Sequence, residues 1–174
     1  MKAIVIDQYG DKNELKEKEL SKPEPKNDEV LIEIHAAAVN PIDWKLRYGY
    51  LKEKIEFEFP IVLGWDAAGI VAEVGKDVTS LNQGDRVFVR PELTNRGTYA
   101  EYTTAKEDLV AKIPENISFE EAAAVPLAGL TAYQCLLNVG KLESGNKVLI
   151  HAGAGGVGSF AIQIAKNLGA YVAT

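Results

Sequence analysis

Eight residues near the C-terminal end of the chain, HAGAGGVG at His151–Gly158, restrict its fold more than any others. They follow a short apolar run, Lys147–Ala152. They precede Ser159–Leu168, where Phe160, Ala161, Ile164, Ala165 and Leu168 recur at helical spacing. Gly169 stands where that helix would be capped, and Ala170–Thr174 opens a second strand-like run. Strand, turn, helix and strand make a βαβ unit. Parallel strands joined in this way belong in a sheet covered by helices on both faces. Within the turn the glycines fall as Gly153-x-Gly155-x-x-Gly158. In isolation that pattern is weak. Between a strand and a helix it has the context of a dinucleotide-binding turn. One glycine then permits the tight turn, one lets the backbone approach a pyrophosphate, and one allows close helix–strand packing. Phosphate charge would meet free N–H groups at the helix start. The alternative is a structural turn that holds no ligand.

Upstream, Ser118 and Glu121 have capping-box spacing before the alanines Ala122–Ala124. Pro126 ends or kinks that short helix. Leu127–Val139 reads as a second helix with Gly140 as its C-terminal cap. Cys135 lies among apolar residues of that helix and reads as a small buried hydrophobe.

The first two-thirds of the chain has a different rhythm. Strand signals occur at Lys2–Asp7, Glu29–Ala37, Ala68–Val74, Asp85–Val89, Thr98–Thr103 and Leu109–Lys112, with turn residues or Pro-rich loops between them. Short strands in this number suggest a small barrel or sandwich. The 174 residues leave room for one domain and part of another. A formal net charge of −6 lacks the basic surplus of a general nucleic-acid binder. A single cysteine can form neither an internal disulfide nor a four-cysteine zinc site. The N-terminal apolar run is too short for a secretory signal core, so a cytoplasmic location is expected. The uncharged stretch Val148–Ala165 is broken by its glycines and reads as strand, turn and helix, so no membrane partner is expected.

Several ordered segments together resemble the medium-chain dehydrogenase/reductase superfamily, and within it the zinc-independent quinone oxidoreductase branch. They are His35–Gly49, Pro60–Gly75, Gly84–Phe88, Gly97–Ala105, Ala122–Leu136 and the glycine-rich turn. The resemblance implies a mixed β and α/β architecture. A chaperonin-10-like β-barrel domain, residues 1–124, would be followed by the first βαβ portion of a Rossmann domain, residues 125–174. The active site would lie in the cleft between them. Full-length relatives continue further, so the chain resembles their N-terminal portion. The residue that selects NAD or NADP would lie about 20 residues beyond the first glycines, near Thr174. The resemblance favours NADP(H) over NAD(H). It also implies a homodimeric parent protein.

The same resemblance assigns candidate site residues. Zinc-dependent relatives carry a cysteine where this chain has Asn40, and Gly-His-Glu where it has Gly64-Trp65-Asp66. Asn and Trp are not zinc ligands, so no metal is expected. Carbonyl activation then falls to hydrogen-bond donors, for which Asn40, Lys45 and Tyr48 are the candidates, Tyr48 being otherwise a cleft-lining or packing residue like Tyr50. Lys45 is either a donor to the substrate oxygen or an ordinary solvent-facing lysine. Asp43 is expected to orient its neighbours, pairing with Lys45 or Arg47. Trp44, Trp65 and Tyr50 would shape an acceptor pocket. Cofactor contacts fall to Asn40, Thr131, Gly153, Gly155, Gly156, Val157 and Gly158. For Thr131 the alternative is a hydroxyl bonded to its own helix. His35 is expected to be packed on its strand, and His151 to pack beside the cofactor site.

The implied function is NAD(P)H-dependent reduction of a quinone or an α,β-unsaturated carbonyl by the parent protein. A zinc-free alcohol dehydrogenase, or a reductase module of a larger synthase, is the enzymatic alternative. A non-catalytic nucleotide-binding or structural module is the other class. The 174-residue polypeptide by itself is expected to have little reductase activity, because part of the cofactor cleft would be missing.

Overall fold

The computed structural model describes all 174 residues, Met1–Thr174. The chain divides into two compact units, Met1–Ala124 and Val125–Thr174.

The first unit is built mainly from two antiparallel sheets. Its strands are β1 (Lys2–Ile6), β2 (Lys16–Glu19), β3 (Glu29–Ala37), β4 (Ile61–Val62), β5 (Ala67–Val74), β6 (Arg86–Val89), β7 (Tyr102–Lys106) and β8 (Val110–Lys112). The larger sheet has the order β7-β3-β5-β6-β8, and the smaller has the order β2-β1-β4. One face of the larger sheet buries Val30, Ile32, Val71, Val87, Val89 and Ala105 with Leu81. The other face is covered by helix α2 (Phe119–Ala123), which packs Ala122 and Ala123 against Ala68 and Ile113. The capping box of α2 forms as its spacing indicates. Ser118 Oγ accepts from Glu121 N–H, and Glu121 Oε2 accepts from Ser118 N–H.

Helix α1 (Pro41–Arg47) is absent from the strand-rich sequence reading. Asn40 is its N-cap, Pro41 takes the first helical position and Asp43 the third. It buries Leu46 with Ile6, Ile61, Leu63 and Trp65. Its far end is held by Arg47, whose guanidinium donates to the Gly10 carbonyl while the Arg47 carbonyl accepts from Gly10 N–H.

The expected strand Thr98–Thr103 runs instead from Tyr102 to Lys106. The residues before it belong to the other sheet: Tyr99 N–H donates to Leu63 and Ile4 N–H to Tyr99. The segment therefore crosses between sheets, which a single alternating pattern does not describe.

In the second unit, α3 (Pro126–Tyr133) continues into a π-helical segment, Gln134–Val139, so the expected single helix is two kinds of helix in series. The wider turn closes on the Gly140 N–H to Cys135 carbonyl bond. Gly140 keeps a negative φ of −75°, and the left-handed residue is Lys141, with φ 48°. Strand β9 (Lys147–Leu149) pairs in parallel with β10 (Tyr171–Ala173). Helix α4 (Gly156–Asn167) joins them, burying Ala161 and Ala165 beside Ile150 and Ala132. No helix is long and apolar enough to cross a membrane.

Candidate functional site

The start of α1 gathers several polar groups, from Asn40, Asp43, Asp66 and Tyr99. Asn40 N–H donates to Asp43 Oδ2 at 2.6 Å, and Asn40 Nδ2 donates to Asp66 Oδ2 at 3.0 Å. The Tyr99 hydroxyl donates to the same Asp43 Oδ2 at 2.7 Å. The Asp66 carbonyl accepts from Ala38 N–H and from the Thr98 hydroxyl. The loop after β3 and the loop after β4 are thus laced together around Asn40. A carboxamide nitrogen carries two protons. One points to Asp66, which leaves the other for a ligand oxygen.

Asp43 is only 4% exposed. Burial pushes its carboxyl above the ordinary carboxylate value, against the lowering effect of the Asn40 N–H and the Tyr99 hydroxyl. The Tyr99 phenol is pushed up as well, first by burial and then by Asp43 and Asp66. The expected pairing of Asp43 with Lys45 or Arg47 does not occur. Its partners are Asn40 and Tyr99, and Arg47 is engaged by Gly10. On a short helix Asp43 at the third position faces back toward the N-cap, away from the last turn.

Lys45 and Tyr48 lie further along the same segment, Tyr48 as its C-cap, and both are exposed. Lys45 Nζ sits 5.7 Å from the Trp44 ring centroid, and the Arg47 guanidinium lies 4.8 Å from that of Tyr48. Trp44, Tyr48 and Tyr50 form a cluster with centroids 5.8 to 6.1 Å apart. Trp44 is 42% exposed and Tyr50 66%. Trp65 does not join them. It is 1% exposed, buried among Ile6, Leu46, Ile61 and Leu63, where apolar side chains leave its Nε1 without a partner.

Asn40 and Trp65 supply no metal ligand, and Asp66 is engaged by Asn40. No three His, Cys, Asp or Glu side chains gather into a set that could hold a metal ion.

In the second unit the glycine-rich segment is partly helix. Helix α4 begins at Gly156, with Gly155 as its N-cap, three residues before the expected start. Gly156, Val157 and Gly158 therefore form its first turn. The first main-chain bond of the helix runs from Ser159 N–H to the Gly155 carbonyl, at 2.9 Å. The N–H groups of Gly156, Val157 and Gly158 are the orphan donors every helix start leaves. Gly153 lies in the turn before them, close to Ile162 and Thr174. The left-handed residue of the turn is Ala152, with φ 55°, and not a glycine.

The Thr131 hydroxyl donates to the Leu127 carbonyl at 2.6 Å. Its one proton is thereby engaged, and it offers a ligand only acceptor lone pairs. Cys135 is exposed, not buried, because it falls on the outer side of the π-helical segment. His35 is exposed too, its ring stacked on Phe119 at 4.5 Å, and His151 lies exposed in the turn. Sequence reasoning gave Tyr99 no role, although it lies within the Gly97–Ala105 segment that carries the resemblance. It also missed α1, which the pattern Asn40-Pro41-x-Asp43 would have disclosed.

The family model of the alcohol dehydrogenase GroES-like domain matches residues 26–115. A 2-methylene-furan-3-one reductase of Solanum lycopersicum is 45% identical over 175 residues, covering 97% of this chain and 45% of that protein. The solved quinone oxidoreductase from Coxiella burnetii superposes with a TM-score of 0.87 at 44% identity, covering 99% of this chain and 55% of that one. A mycobacterial protein complexed with NADPH superposes with a TM-score of 0.88 at 38% identity, covering 99% of this chain and 52% of that one. The chain spans about half the length of the curated relatives it matches. It belongs to the alcohol dehydrogenase GroES-like domain family and, with it, to the medium-chain dehydrogenase/reductase superfamily.

Proposed function

We propose that this chain carries the acceptor site and the phosphate-binding turn of an NAD(P)H-dependent reductase of quinones or α,β-unsaturated carbonyls. The observation that carries the reading is the Asn40 carboxamide, held at the start of α1 with one N–H on Asp66 and the other unused. A family member that places asparagine there, beside exposed Lys45 and Tyr48, has donors for a carbonyl oxygen without a metal. Solved and curated relatives include a quinone oxidoreductase, an enone reductase and an NADPH complex, which supports the same class.

A bound nicotinamide cofactor would supply hydride. The chain's own residues do the rest. Gly156, Val157 and Gly158 offer orphan N–H groups to the pyrophosphate, with Gly153 and Gly155 shaping the turn. Thr131 offers lone pairs to a carboxamide N–H. Asn40 and Lys45 stabilise the negative charge that builds on the acceptor oxygen, each donor worth about 3 kcal/mol in a dry site. Lys45 carries protons that can pass to the product enolate. The rings of Trp44, Tyr48 and Tyr50 offer flat faces to a conjugated acceptor. In this reading residues 1–124 are the GroES-like acceptor domain and residues 125–174 begin the dinucleotide-binding domain. NADP(H) is the cofactor we favour, the cytoplasm the location, and a homodimer the assembly.

The test is NADPH oxidation by the protein as its cells make it, with a quinone, an enone and a saturated aldehyde offered in parallel. Turnover of the first two supports the reading. Turnover of the aldehyde alone moves it to a zinc-free alcohol dehydrogenase. Saturable NADPH binding with no turnover of any acceptor favours a non-catalytic nucleotide-binding module.

A further inference from the structure

Two capping boxes occur in the first unit, and they differ in burial and in membership. At Ser118 the box is exposed and self-contained, with Glu121 Oε2 serving only its own N-cap. At Asn40 the box is part-buried, its Asp43 side chain 4% exposed, and it has a third member, Tyr99, which is 56 residues away in sequence. Asp43 Oδ1 is buried with no partner, while Oδ2 accepts from both the Asn40 main chain and the Tyr99 hydroxyl. Leaving one buried carboxylate oxygen unpaired is costly. A cap needs no such arrangement, as Ser118 demonstrates.

Tyr99 is itself closely held. Its N–H donates to the Leu63 carbonyl, and its carbonyl accepts from Ile4 N–H. Its ring lies over Gly64, where a Cβ would come within 2.4 Å of the ring and φ is +86°, so only glycine leaves room. Gly64 is two residues from Asp66, the acceptor for the Asn40 side chain. One short stretch of chain thus anchors both the main chain of Asn40, through Tyr99 and Asp43, and its carboxamide, through Asp66.

We propose that Tyr99 and Asp43 are positioning residues: by holding the Asn40 main chain they keep its carboxamide, bonded to Asp66, in one orientation. A donor displaced by about 1 Å can lose on the order of 100-fold in rate, so a rigid mount for Asn40 has a function that helix capping alone lacks. The functional meaning rests on the reading of Asn40 as an oxyanion donor. The structural claim does not, and it is tested without turnover.

The experiment is nuclear magnetic resonance on the full, isotopically labelled chain, comparing wild type with Tyr99→Phe and Asp43→Asn. The signals are the Asn40 main-chain amide and its side-chain NH2 pair, with the Ser118 amide as internal reference. Tyr99→Phe removes one oxygen and keeps the ring. It should move both Asn40 signals and speed exchange of the main-chain amide by about tenfold, the effect of weakening a charge-assisted hydrogen bond. Ser118 should stay in place. Asp43→Asn gives the same readout should the phenylalanine variant fail to fold. Asn40 side-chain signals unchanged in a folded variant of either kind would overturn the proposal. Failure of the whole protein to reduce any acceptor would remove the catalytic role of Asn40 and leave this result standing.

Discussion

A Cβ on Gly158 would lie 2.2 Å from the carbonyl oxygen of Ala152, whereas one on Gly156 would meet nothing nearer than Ala128 Cβ, at 3.8 Å. Two glycines of the same turn thus have different tasks. Gly158 lets α4 begin against the strand-end backbone, and Gly156 stands at the open mouth of the helix.

Alanine at each should separate those tasks. Gly158→Ala must push main chain apart and should destabilise the second unit by about 1–3 kcal/mol. Gly156→Ala should be neutral or stabilising by up to about 1 kcal/mol, because alanine is the better helix former. Yet its methyl group occupies the space a pyrophosphate would take. Urea unfolding and NADPH titration of both variants check this. A Gly156→Ala protein that folds and binds NADPH as wild type does would contradict the assignment of that space.

Asn40 and Lys45 should behave unlike structural residues. In the protein as its cells make it, Asn40→Ala should lower kcat for an enone on the order of 100-fold, with little change in the KM for NADPH. Lys45 is exposed and makes no ion pair, so Lys45→Met should leave the melting temperature within about a degree of wild type while lowering kcat. Equal losses of stability and activity in the lysine variant would make it a structural residue.

The two tryptophans should report separately. Trp65 is buried and Trp44 is 42% exposed. Acrylamide should quench one emission class strongly and the other hardly at all, and Trp44→Phe should abolish the quenchable class. A quinone lying against the Trp44, Tyr48 and Tyr50 rings should quench the same class, saturably. Quinone quenching that persists in Trp44→Phe would place the acceptor elsewhere.

Glu107 accepts from the Ser80 hydroxyl and from the N–H groups of Ser80 and Thr79. These bonds, led by the Ser80 hydroxyl, hold its carboxyl below the ordinary value. A carboxyl depressed in the folded state adds stability above its unfolded pKa, and loses it as the pH falls through the folded one. Glu107→Gln should therefore be less stable than wild type at neutral pH, and the gap should close in acid. Urea unfolding of both proteins across that range measures it. A gap that stayed constant with pH would remove the electrostatic account.

Much of this architecture is legible in the residues. β3 falls on Glu29–Ala37 as its apolar run indicates, and Ser118 and Glu121 cap α2 as their spacing requires. What escapes has physical reasons. β2 reads KEKE, with no apolar period at all. It is an edge strand held by its register on β1 and by ion pairs of Lys16 and Lys18 with Asp7. The π-helical turn at Gln134–Val139 inserts one residue and shifts the left-handed position from Gly140 to Lys141. At the site, Asn40 and the glycines are visible because motifs carry them. Tyr99 lies within such a segment too, but its role is invisible because it rests on one contact across the fold, and Trp65 misleads because a large ring says nothing of which side it faces.

The central claim is that the start of α4 receives a dinucleotide. The direct measurement is an NADPH titration of the isotopically labelled chain, followed at each main-chain amide. The account predicts saturable shifts at Gly156, Val157 and Gly158, with the Ser118 amide unmoved. NADPH at millimolar concentration that moves none of the three would contradict it.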